Sequence, residues 1–198
     1  MTPKTLLKSF DEWRKQEQAL ALASVYETAG STYSKIGARM LINANGDFQG
    51  MLSGGCLEGD LAERAREVII SGIAQKVSYD LSLKNEDLWG LGVGCDGLMR
   101  IFLQPLLAEN DYAPFEAIAR AYEGDHPEVA AVVLDSDKDD IEPGATLVTV
   151  DDTVELFGLT DDGAKDLLIM AQSALVDNLS STRKIQIGTT KATVLFAL

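Results

Sequence analysis

Apolar residues recur along this chain at two spacings, one typical of helices and one of strands. An apolar stripe at helical spacing over 6–13 follows Pro3, which suits a first turn, and predicts a helix ending near Gln18. The almost continuous apolar run 20–26 indicates a strand covered on both faces. Asn45-Gly46 between two short apolar runs predicts a β-hairpin over 38–52. The chain therefore begins as helix, buried strand and hairpin.

The same two spacings continue to the end of the chain. Residues 57–69 keep a helical stripe closed by Ser71-Gly72, and 161–178 read as a second long helix capped by Thr160. A shorter helix is predicted over 114–122, and strands over 76–81, 98–104, 129–135, 146–150, 184–187 and 192–198. No internal repeat is evident. We predict a mixed α/β, α+β-like fold: a mixed sheet with a β-hairpin and flanking helices, and no Rossmann dinucleotide domain.

Charge divides the chain into two regions. Residues 1–106 hold 11 basic and 13 acidic side chains, whereas 107–198 hold 6 and 18, within a total net charge of −14. This balance argues against nucleic acid and anionic membrane surfaces as partners. No apolar run approaches the roughly 20 residues that span a bilayer, so we expect a cytoplasmic protein without membrane insertion. The acidic second lobe, 107–198, is expected to pack with 1–106 as one compact unit.

Cys56 follows two glycines at the predicted start of a helix, in the run Ser-Gly-Gly-Cys-Leu-Glu-Gly-Asp over 53–60. Unpaired N–H groups and the positive end of the helix dipole meet at such a point, which favours anions and thiolates. The alternative is a buried cysteine in a tight strand-to-helix turn. Cys56 is therefore a candidate reactive or ligating thiol.

Two further segments carry candidate chemistry. Residues 89–97, Trp-Gly-Leu-Gly-Val-Gly-Cys-Asp-Gly, place Cys95 in a glycine-rich loop that could wrap a ligand or form a simple bend. Residues 30–39 combine small hydroxyl side chains with Lys35 and Arg39, which could hold phosphate or carboxylate or merely connect two strands. A Cys56–Cys95 bridge stays open if the two thiols meet.

Together, the motifs at 30–41, 53–60, 63–67, 79–81 and 89–95 resemble the XdhC/CoxI family over residues 20–106. Members of that family bind the molybdenum cofactor (molybdopterin), help it acquire sulfur from a cysteine desulfurase, and deliver it to apo-enzymes of the xanthine dehydrogenase class. Typical members continue into a Rossmann domain. No dinucleotide fingerprint occurs before Leu198, so the resemblance covers the N-terminal region only.

The resemblance implies a cofactor chaperone that carries its ligand as cargo and has the apo-molybdoenzyme and the desulfurase as partners, with a homodimer as an open question. We expect Gly54, Gly55 and the turn after Cys56 to receive an anionic part of the cofactor, and Arg39 to offset charge. Either Cys56 or Cys95 would contact molybdenum or handle sulfur. The cofactor-binding set is then Ser31, Arg39, Gly54, Gly55, Cys56, Glu58, Gly94 and Cys95.

Two other functions fit the same residues. Cys56 could be the nucleophile of a thiol-dependent transferase or hydrolase, in which case it would show a depressed thiol pKa and form a covalent adduct. The chain could also be a protein-interaction module without cofactor binding, which would capture a partner but no molybdopterin.

Overall fold

A computed structural model describes residues 3–80, 97–124, 127–151 and 153–198. They form two compact units, Met1–Ala108 and Glu109–Leu198, each built on a five-stranded sheet. In the first unit the elements are α1 (Pro3–Lys15), β1 (Leu20–Gly30), β2 (Arg39–Asn43), β3 (Phe48–Gln49), α2 (Glu58–Ser71), β4 (Gln75–Asp80) and β5 (Gly97–Leu106). A 3₁₀ turn, Ala108–Asn110, follows β5.

The first sheet has the order β3-β2-β1-β5-β4 and is antiparallel throughout. Strand β1 lies at its centre and is buried along its first six residues, as the continuous apolar run predicts. Helix α2 packs on β1, β2 and β5 and forms the main core with them, including Val25, Ile42, Leu61 and Ile101. The sheet and α2 thus hold the residues between β3 and α2 in a defined place.

The second unit contains α3 (Phe115–Glu123), β6 (Ala130–Ser136), β7 (Thr146–Val150), β8 (Thr153–Phe157), α4 (Asp161–Asp177), β9 (Ser181–Ile187) and β10 (Thr190–Ala197). Its sheet has the order β8-β7-β6-β10-β9 and is also antiparallel. The side chain of Thr160 accepts a hydrogen bond from Gly163 N, which confirms the predicted cap of α4.

The two units repeat one topology that the sequence does not reveal. Over the described residues each unit runs helix, three strands, helix, two strands, and the strands occupy equivalent positions in the two sheets. In both, the second helix ends at a residue with left-handed backbone, Gly72 after α2 and Asn178 after α4. Only the pattern of elements is shared, so a search for repeated residues does not find it.

The mixed α/β class with a hairpin and flanking helices is confirmed, but the parallel strand pairs of a mixed sheet do not occur among the described strands. The reason is that α2 connects β3 to β4, which lie at opposite edges of the sheet, so this crossover does not place two strands side by side. Helix α1 ends at Lys15, before Gln18, because Glu17 adopts a left-handed φ of 52°. Strand β8 was missed because its largely exposed residues carry little apolar signal.

Within the described ranges, no helix is both long and apolar enough to cross a bilayer.

Candidate functional site

The segment that carries Cys56 is the connection between β3 and α2, residues 50–57, called here the cysteine loop. Gly54 and Gly55 have φ values of 78° and 110°, in the region that favours glycine. A Cβ on Gly54 would also lie 3.3 Å from the ring of Tyr33. The paired glycines therefore let the loop turn sharply, whatever else they do.

Glu58, the first residue of α2, holds the cysteine loop from beneath. Its side chain is buried, with the residue only 2% exposed. One carboxylate oxygen accepts from the N–H groups of Leu52 (3.0 Å) and Ser53 (2.9 Å). The other accepts from the Ser53 hydroxyl (2.5 Å) and from the N–H groups of Gly55 (3.1 Å) and Leu57 (3.2 Å). Five donors thus converge on one carboxylate.

This carboxylate is negatively charged at neutral pH. Burial by itself would raise the pKa of Glu58, but the hydrogen bonds from Ser53 and Leu52 outweigh burial and bring the pKa below its ordinary value. Glu58 therefore uses several of the loop N–H groups that the sequence pattern offers to an anionic ligand. Within the described part of the chain, the N–H groups of Gly54 and Cys56 donate no hydrogen bond.

Cys56 lies immediately before Leu57, the N-cap of α2, and is a free thiol of intermediate exposure. It packs against the core of the first unit on one side. No side chain caps this helix end, because the Ser53 hydroxyl and Glu58 bond to Leu57 N and not to the first helical N–H groups. The positive end of the α2 dipole therefore lies beside a partly exposed thiol.

The connection between β1 and β2 lies against the cysteine loop. The ring of Tyr33 lies close to Gly54, and the Ser34 hydroxyl donates to Met51 O at 3.2 Å. Ser31 is exposed in the same connection, and its carbonyl oxygen lies close to Gly97, where an added Cβ would be 2.8 Å away. The structure therefore brings the Ser31 segment and the cysteine loop together.

Arg39, the first residue of β2, adjoins the other end of the cysteine loop. Gly50 has a φ of 120°, and a Cβ added there would lie 2.8 Å from Arg39 O and 2.6 Å from Met40 Cα. This backbone approach places Arg39 beside the start of the loop. Gly94 and Cys95, which complete the predicted set, lie outside the described residues.

A polar network that the sequence pattern did not predict fixes the first turn of α2 to β4. The Tyr79 hydroxyl donates to Asp60 at 2.5 Å, and Arg64 Nε donates to the same oxygen at 2.7 Å. Burial opposes ionisation of Asp60, but these two hydrogen bonds lower its pKa. Burial and then the bond to Asp60 raise the pKa of Tyr79 well above its ordinary value. The alternation of β4, which buries Val77 and Tyr79, was the available signal.

Within the described residues, no group of three or more His, Cys, Asp or Glu side chains could hold a metal ion. A metal would therefore have to arrive with most of its ligands already bound, as it does in an organic cofactor.

Three comparisons place this geometry among known proteins. Residues 13–80 match the family model described as the XdhC and CoxI family, which confirms the resemblance. A curated relative from Bacillus subtilis, named as one of the probable subunits of xanthine dehydrogenase, is 34% identical over 94 residues, covering 48% of this chain and 28% of that protein. A crystal structure of a xanthine dehydrogenase from Bacillus halodurans superposes with a TM-score of 0.60 at 27% identity, covering 86% of this chain and 48% of that one.

This chain therefore spans less than a third of the curated relative and about half of the solved neighbour. The family match ends at residue 80, so it includes the cysteine loop and Glu58 and excludes the second unit.

Proposed function

Because residues 13–80 match the XdhC and CoxI family, we propose that this protein takes part in the maturation of a xanthine dehydrogenase-type molybdoenzyme by carrying its molybdenum cofactor. The supporting relatives bear xanthine dehydrogenase names. The observation that carries the proposal is the cysteine loop, in which a partly exposed free thiol lies at the start of α2 on a frame that Glu58 holds from beneath.

The chemistry of the loop suits this cargo. Molybdopterin combines an anionic phosphate with a thiophilic metal, so it requires N–H donors and a soft ligand. The N–H groups of Gly54 and Cys56 are available as donors, and the thiol of Cys56 is the soft ligand. Ser31 and Arg39 lie on segments that adjoin the loop and would add a hydroxyl and a positive charge.

The buried charge of Glu58 must be reconciled with an anionic ligand. A bare carboxylate under the loop would repel a phosphate, but five hydrogen-bond donors already surround this one. Hydrogen bonds spread the negative charge onto the loop and orient its remaining N–H groups outward. In this proposal Glu58 acts as a positioning residue that shapes the site from behind, and direct contact with the cofactor falls to the loop backbone and Cys56.

The test is cofactor retention by variants purified under anaerobic conditions. We expect Cys56→Ser to lose most of the bound molybdenum and pterin, measured by metal analysis and mass spectrometry, and Cys95→Ser to show whether the second thiol contributes. Glu67→Gln, an exposed change on the same helix, is the matched control and should retain the cofactor. Unchanged retention in both cysteine variants would overturn the thiol role.

The delivery step needs a separate test. We expect the loaded protein to bind the apo-molybdoenzyme and a cysteine desulfurase, and to activate the former. Binding of these partners without any molybdopterin would support the interaction-module function instead. A covalent substrate adduct on Cys56, with alkylation that reports a depressed thiol pKa, would support the transferase or hydrolase function.

A further inference from the structure

The second unit has a cleft of its own, on the sheet face opposite α4. Its volume is about 520 Å³, within the range of small-molecule sites, and its polar lining comes from β6, β10 and β9. The neighbouring residues Ala192 and Val194 point into the core beneath α4. Since side chains alternate along a strand, Thr193 and the residues level with it face away from that core and into the cleft.

The strand register arranges opposite charges across this cleft. Thr193 is paired with Asp135 on β6 and with Lys184 on β9, so the three residues form one row over three strands. Directly opposed Cβ atoms are about 5 Å apart, which places the acidic and basic ends of the row about 10 Å apart at Cβ. Lys191 lies one row away, paired with Gln186. The cleft thus has an acidic side, a hydroxyl in the middle and a basic side.

Hydrogen bonds make the rim of the cleft rigid. Asp137 accepts from Lys191 N at 2.8 Å and donates its own N–H to Lys191 O at 2.9 Å. Lys138 Nζ donates to the carbonyl and the hydroxyl of Thr189, in the turn between β9 and β10. These bonds tie the end of β6 to the β9–β10 hairpin. The segment 135–140, which resembles the start of a calcium loop in sequence, serves here as a brace.

The two lysines of the cleft differ from other basic residues of this acidic region. Three basic side chains form ion pairs: Arg120 with two glutamates, Lys165 with Asp162, and Arg183 with Asp177. In the described ranges, Lys184 and Lys191 have no such partner, although 18 acidic residues lie in 107–198. Two unpaired ammonium groups on one side of a braced cleft require an anionic group of a ligand.

We propose that this cleft binds a small zwitterion of the free amino acid class. The carboxylate would bind Lys184 and Lys191, the ammonium group would bind Asp135, and the Thr193 hydroxyl would bridge them. A simple anion fits less well because residues 107–198 carry 12 more acidic than basic side chains, whose field repels net negative charge. A zwitterion has no net charge and matches both sides of the row.

Binding to the full chain is measured by calorimetry with a panel of free amino acids and with inorganic phosphate as the anion probe. For the tightest amino acid, the amide derivative removes the carboxylate and the N-acetyl derivative removes the ammonium group. We expect saturable binding of the parent compound and at least about tenfold weaker binding of either derivative, since each loses a charge-assisted hydrogen bond. Lys184→Gln and Asp135→Asn should weaken binding by a similar factor.

Lys165→Gln is the matched control, because it removes a lysine from the same unit outside the cleft, and it should change the affinity less than about twofold. Thermal unfolding of each variant establishes that it is folded. Binding of phosphate without any amino acid would overturn the zwitterion assignment in favour of an anion site. Failure of both probes, or equal effects of Lys184→Gln and Lys165→Gln, would overturn the site itself.

Discussion

Replacing Glu58 by glutamine tests whether its carboxylate holds the cysteine loop. Glutamine keeps one acceptor oxygen, which can serve the N–H groups of Leu52 and Ser53, but it places an NH₂ group where Gly55 N–H now finds its acceptor. Hydrogen bonds to a charged group contribute about 1.5–3 kcal/mol and neutral ones about 0.5–1.5 kcal/mol. The two retained bonds therefore lose about 1 kcal/mol each.

The orphaned Gly55 donor adds a further cost. An unsatisfied buried donor costs about 1–3 kcal/mol, but Gly55 is exposed and water can replace part of the lost bond. We therefore expect Glu58→Gln to lower the free energy of unfolding by about 3 kcal/mol, a large share of the roughly 5–15 kcal/mol that stabilises a domain.

Two measurements check this value. Urea unfolding gives the free energy of unfolding, and alkylation of Cys56 in the folded protein, followed by peptide mass spectrometry, reports opening of the loop. Glu67→Gln removes an exposed carboxylate from the same helix and should stay within about 0.5 kcal/mol of wild type. If Glu58→Gln matches Glu67→Gln in both stability and alkylation rate, the carboxylate does not hold the loop.

Three further predictions concern the same unit. Because the pKa of Glu58 is lowered in the folded state, its stabilisation is complete above the ordinary value of 4.5 and is lost as the pH falls through the folded value. The stability difference between wild type and Glu58→Gln, followed by urea unfolding, should therefore close below about pH 4, and a difference that persists at about pH 3 would contradict this. Tyr79→Phe should cost about 1 kcal/mol and raise the pKa of Asp60 in an NMR titration, since both effects follow from one hydrogen bond. Gly54→Ala should lower the melting temperature because of its left-handed φ, whereas Gly59→Ala, in open space on α2, should raise it; equal shifts would show that Gly54 is not conformationally required.

The elements of the fold could largely be predicted from local patterns. The helix after Cys56, its end at Gly72 and the Thr160 cap depend on residues close in sequence, and the structure has all three. Strand pairing depends on contacts between distant segments, which explains why the antiparallel order of both sheets was not predicted. Strand β8 was missed for a related reason, since its place in the sheet comes from pairing with β7 and not from its own apolar content.

The role of Glu58 shows where prediction of the site stops. A glutamate in the first turn of a helix is ordinarily an exposed group that complements the dipole, and the sequence pattern makes no distinction between that and burial. Here residues 52–57 fold over the side chain, so its function depends on the backbone of a loop with two left-handed glycines. The pairing of Tyr79 with Asp60 likewise joins β4 to α2 across 19 positions of sequence.

The repeated topology offers an internal comparison for the cysteine loop. In the second unit, three residues, 158–160, connect β8 to α4, and Thr160 supplies a side-chain cap. In the first unit, eight residues, 50–57, make the equivalent connection, and α2 has no side-chain cap. The topology therefore closes with a short, conventionally capped connection. The additional length, the two left-handed glycines and the uncapped helix end beside Cys56 are not needed for the fold, which supports assigning them to ligand binding.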